Sequence, residues 1–117
     1  MVRHNPLPAL SQCPCSVVAV ASALGHRPEG EPQLRSDGYA TLAAANKFIR
    51  ANLPVKRRKD YKRGERPTLR NLNYDGKAIV CVLGHYIYLD GDDYYSFFDN
   101  DNDDVVAVWE LGDKKNK

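Results

Sequence analysis

The nine residues between Cys15 and Gly25 (Ser-Val-Val-Ala-Val-Ala-Ser-Ala-Leu) carry no charge and nothing more polar than a serine hydroxyl. In a helix such side chains point in every direction, and with no polar stripe to face water the whole cylinder has to be buried. That is a severe demand on a chain of 117 residues. It is met when a sheet wraps the helix, which makes this segment the middle of the fold. Pro14 precedes it and Gly25 closes it, so the predicted helix begins at Cys15 or Ser16 and stops at Gly25.

The remaining elements follow from periodicity. Residues 1–12 read as an extended arm, since Pro6 and Pro8 cannot sit in a helix interior and no hydrophobic period follows. A second helix fits 39–52, where Tyr39, Leu42, Ala43, Ala45 or Asn46, and Ile49 recur at helical spacing and Pro54 ends the run. Residues 54–67 hold almost no apolar side chain beyond Val55 and Tyr61 and read as a basic, solvated loop. The period then changes to that of strands. Residues 78–83 (Ala-Ile-Val-Cys-Val-Leu) form a continuous apolar run suited to a central strand buried on both faces. Residues 85–90 and 93–98 flank a Gly-containing turn and read as a hairpin, 105–111 as the last strand, and 112–117 as a frayed tail. Two helices followed by about four antiparallel strands define an α+β fold. With no repeat and no separating linker, residues 1–117 are expected to form one domain.

A domain of this length buries about two-thirds of its unfolded surface and needs no disulfide framework. The three cysteines are odd in number and unevenly spaced, and the N-terminus carries no long apolar stretch of the secretory type. These features point to a reducing, cytoplasmic setting. No segment is long enough to cross a bilayer. The formal charge of +2 conceals two opposed blocks: residues 56–70 hold eight basic side chains against two acidic, and residues 90–104 hold seven aspartates and no basic residue.

Chemistry concentrates at the ends of the predicted elements. Cys15 opens the buried helix, and His85 opens a strand seventy residues later. A thiol at a helix N-terminus meets unpaired backbone N–H groups and the positive end of the helix dipole, both of which favour the thiolate. An imidazole beside it takes the thiol proton and returns it to a leaving group. Cys13 is the rival nucleophile, with Ser16 three positions after it. A carboxylate that orients the imidazole is sought on the next strand, where register decides. A three-residue hairpin loop sets His85 opposite Asp99; a two-residue loop sets it opposite Phe98 and turns Asp99 to the other face. Asn100 and Asp90 are the fallbacks. Gln12 stands three residues before Cys15, where its amide can donate to an oxyanion together with the Cys15 N–H.

The run from Cys15 to Gly25 resembles the nucleophile helix of compact papain-like cysteine peptidases, in particular the short bacteriophage and viral versions and the domains that trim bacteriocin leaders. The segment 76–91, with Gly84-His85 leading a strand into Asp90-Gly91, resembles their second signature, and 94–99 resembles the strand that delivers the third member. The likeness covers about half the chain. It implies a papain-like fold, a phage or viral source acting in a host cytoplasm, and a cysteine peptidase or amide hydrolase that cleaves a protein or peptide substrate through a thioester. In that reading Cys15 is the nucleophile, His85 the base and acid, Asp99 the orienting carboxylate and Gln12 the oxyanion donor. The chemistry requires no cofactor and no metal. The papain-like oxyanion amide commonly lies farther upstream than Gln12 does here.

Other readings compete. A papain-like scaffold without activity would bind a host protein, using aromatic anchors among Tyr86, Tyr88, Tyr94, Tyr95, Phe97 and Phe98. The block Lys56–Arg66 has the charge to contact nucleic acid with Tyr61 stacking on a base, although a solvated or internally paired loop is the favoured reading of it. Asp99, Asp101, Asp103 and Glu110 imitate calcium-loop spacing, yet Asp104 stands where the sharp turn needs Gly. Cys13, Cys15 and His85 lack a fourth ligand for zinc.

Overall fold

The computed structural model describes residues 3–6, 15–25, 40–72, 74, 76–83, 85–96 and 101–112, with the side chains of 3–6, 15 and 16 outside that description. Among the described residues six strands form one sheet: β1 (Arg3–Pro6), β2 (Val55–Asp60), β3 (Lys77–Val82), β4 (His85–Asp90), β5 (Asp93–Ser96) and β6 (Val105–Leu111). Their order is β1-β5-β4-β3-β6-β2. Every pairing is antiparallel except that of β1, which runs parallel to β5. Two α-helices among the described residues, α1 (Cys15–Leu24) and α2 (Leu42–Asn52), give an α+β fold.

The apolar pattern explains the layering. Ile79 and Cys81 of β3, Tyr86 and Tyr88 of β4 and Trp109 of β6 point to one face, where they meet Val17 and Val20 of α1 and Phe48 and Ile49 of α2. Val80, Val82, Ile87, Leu89, Val105 and Val108 point to the other face, which is covered by Leu69 with Tyr61, Leu72 and Tyr74. Strand β3 is accordingly buried on both sides from Ala78 to Val82, as its unbroken apolar run demands. No residue from Val17 to Leu24 is exposed. The helix ends at Gly25, whose φ of 77° suits a residue without a Cβ. Helix α2 starts later than its periodicity suggests, because the Thr41 hydroxyl accepts the Ala44 N–H at 3.1 Å and caps it there.

Two expectations are corrected. The basic segment is not a loop throughout, since Val55–Asp60 forms β2 at the edge of the sheet. An edge strand with one neighbour needs little apolar content. Val55 reaches the core, Arg57 pairs with Glu110 at 2.9 Å, and the Arg58 guanidinium lies 5.3 Å from the Trp109 ring centre. The N-terminal arm is extended but also structural, since its residues 3–6 pair with β5. The sheet therefore has five antiparallel strands plus β1, rather than about four.

Candidate active site

One end of the sheet gathers the groups that the sequence singles out. Strand β3 ends there at Val82, which pairs with His85 at the start of β4 and with Val105 at the start of β6. Strand β5 leaves at the same end, and β1 leaves beside it, with Pro6 opposite Ser96. Helix α1 packs chiefly along β4. Its last turn lies at the far end, since Ala23 lines a cavity of about 100 Å³ with Lys77, the first residue of β3, and Leu111, the last of β6. From there α1 runs back along β4 for ten residues, with Cys15 as its first residue.

His85 is half-buried. Burial lowers its pKa, because an imidazolium loses hydration there, and the carboxylate of Asp103 opposes that by favouring the charged form. Asp103 belongs to a loop fastened beside the β3–β4 turn. The Leu69 N–H donates to the Asp103 carbonyl at 3.0 Å and the Leu83 N–H to the Asp104 carbonyl at 3.2 Å, while Thr68 bridges to Asp104. The same loop is held from β5, where Tyr94 donates its hydroxyl to Asp101 at 2.5 Å. Leu83, on the turn just before Gly84 and His85, is 57% exposed and presents an apolar side chain at the rim.

The candidate residues fare differently. Cys15 is the first residue of α1. Gln12, Cys13, Gly84, Phe98, Asp99 and Asn100 lie outside the described residues. The hairpin register is that of a two-residue loop, Gly91-Asp92, with Asp90 opposite Asp93 and Tyr88 opposite Tyr95. The condition that set His85 opposite Asp99, a three-residue loop, is therefore not met. Asp90 closes β4 at the far end of the strand from His85 and is not an orienting group. The pairing of His85 with Val82, and its alternation with Ile87 and Leu89, also assign its side chain to the face opposite α1. Any approach between His85 and the Cys15 end of α1 runs around the rim of the sheet, not across its face.

Asp103 is the acidic residue that sequence reasoning passed over. It stood among alternating aspartates read as a turn, and nothing local distinguishes the one that acts on His85. Its position depends on a backbone bond from Leu69, remote in sequence. Among the described residues no cluster of His, Cys, Asp and Glu is arranged to hold a metal, and no helix is long and apolar enough to cross a membrane. Set against known protein families, characterised proteins and solved structures, the chain matches none.

Proposed function

We propose that the protein is a small thiol-dependent acyl hydrolase of papain-like arrangement, a cysteine peptidase or amide hydrolase acting on a protein or peptide. What supports this reading is that Cys15 opens α1, whose last turn lies at the far end of the sheet from His85, and that the Asp103 carboxylate acts on His85 at the near end. The lowered pKa of His85 leaves a neutral imidazole at pH 7, the form that accepts a proton. In the reaction His85 takes the Cys15 proton and the sulfur adds to the substrate carbonyl. The tetrahedral oxyanion then expels the amine, which carries away the proton held on the imidazolium. Water, giving a proton to His85, hydrolyses the thioester and restores the thiol. Asp103 stabilises the imidazolium formed in each half. Gln12 remains the proposed oxyanion donor.

The test is acylation by p-nitrophenyl acetate, followed by release of nitrophenol and by intact mass. A burst of one equivalent with the acetyl group on Cys15, absent in Cys15→Ala and slowed in His85→Ala, is the expected result. Acetyl groups spread over all three cysteines without a burst would sink the proposal, and a burst on Cys13 would move the nucleophile by two residues.

A second reading has its own support. The register that turns His85 to the face opposite α1 favours a papain-like scaffold that binds a host protein without catalysis. Labelling of Cys15 no faster than a free cysteine would decide for it.

A further inference from the structure

Strand β2 lies at the edge of the sheet, and among the described residues no strand pairs with its outer side. The ladder to β6 tells which backbone groups point outward. The Tyr61 N–H donates to the Val106 carbonyl at 2.9 Å, so by alternation Lys59 and Arg57 face β6. The N–H and C=O groups of Arg58 and Asp60 consequently face away from the sheet. Along this edge Lys56, Arg57 and Lys59 are exposed, and Lys62 and Arg63 continue the line in the turn that follows. Glu110 neutralises Arg57 and Asp60 neutralises Arg58, but Lys56, Lys62 and Arg63 have no acidic partner among the described residues. The ammonium of Lys59 lies 5.2 Å from the Tyr61 ring centre.

We propose that the outer edge of β2 binds an acidic peptide in extended conformation, which joins the sheet as a further strand. The backbone of Arg58 and Asp60 supplies the hydrogen bonds, and the flanking lysines and arginines face the acidic side chains across the new ladder. The same charges keep β2 from pairing with β2 of a second copy, since like charges would then stand opposite each other. The edge is thus closed to itself and open to an acidic strand. A nucleic acid is the poorer occupant. Its phosphates only accept hydrogen bonds, so they would use the charges and the outward N–H groups but leave the outward carbonyls of Arg58 and Asp60 without donors, which a peptide strand supplies. This surface is independent of the proposed hydrolytic site.

The experiment uses the full chain labelled with nitrogen-15. Three probes are titrated: a short peptide alternating Glu with Val, the same peptide N-methylated along one backbone edge, and an oligothymidine. The Glu-Val peptide is expected to bind and to protect the Arg58 and Asp60 amides from hydrogen exchange, and N-methylation to abolish this. Opposite-charge cross-strand pairs contribute enough that the exposed triple reversal Lys56→Glu, Lys59→Glu, Arg63→Glu should weaken binding about tenfold or more, with circular dichroism unchanged. Equal binding of the N-methylated peptide or of oligothymidine would reduce the strip to a generic polyanion patch and overturn the proposal. No binding at all would mean that the charges serve only to protect the edge.

Discussion

At the scale of residues, His85 and Asp103 are set against each other: burial disfavours the imidazolium, and the carboxylate partly restores it. The His85 resonances should therefore titrate below the ordinary value of about 6.5, and Asp103→Asn should drive the midpoint lower still. A midpoint raised by that substitution would contradict the assignment. Because the folded state holds the proton less tightly than the unfolded one, the related stability is present above the unfolded pKa. It is lost as pH falls through the lower, folded value, and unfolding in His85→Gln should lack that acid limb. A second residue-scale prediction concerns Trp109, fully buried, whose indole N–H donates to the Asn46 Oδ1 at 2.9 Å. Asn46→Leu strands that donor and should cost about 1–3 kcal/mol in urea unfolding. Neither partnership is legible in the chain, since periodicity alone leaves the core position of helix α2 open between Ala45 and Asn46. In the structure Ala45 is the buried one, and Asn46 beside it meets a tryptophan sixty-three residues away.

Elements were legible where their pattern is strong and self-contained. Helix α1 declares itself by an all-round apolar run ending in Gly25, and β3 by an unbroken one. The β4–β5 hairpin was visible in its flanks but not in its loop length, because Gly91-Asp92 and Gly91-Asp92-Asp93 are both acceptable turns. Gly91 sits at φ 64°, the left-handed region that the first loop position of a primed two-residue turn requires. Gly91→Val should destabilise the fold by about 1–2 kcal/mol in thermal or urea unfolding. An unchanged midpoint would mean that the backbone at Gly91 does not hold the left-handed conformation. Strand β2 was hidden for a different reason. An edge strand needs only an occasional inward side chain, here Val55, and otherwise its charged residues imitate a solvated loop.

At the scale of the molecule, the candidate site is a property of topology. The ends of β1, β3 and β5 and the starts of β4 and β6 share one end of the sheet, and the last turn of α1, which Cys15 opens, lies at the other. The order of thiol and imidazole along the chain was readable because each opens an element. The acidic partner was not, since it arrives on a loop held by a backbone bond from Leu69, remote in sequence. The account stands or falls on whether the thiol and His85 act as a unit across the rim. The measurement is the pH dependence of iodoacetamide alkylation at Cys13, Cys15 and Cys81, resolved by mass spectrometry, in the wild type and in His85→Ala. A Cys15 that labels with a midpoint well below the ordinary thiol value of about 8.5, and that loses this reactivity with His85, is the predicted result. Slow, equal labelling of all three thiols in both proteins would contradict it.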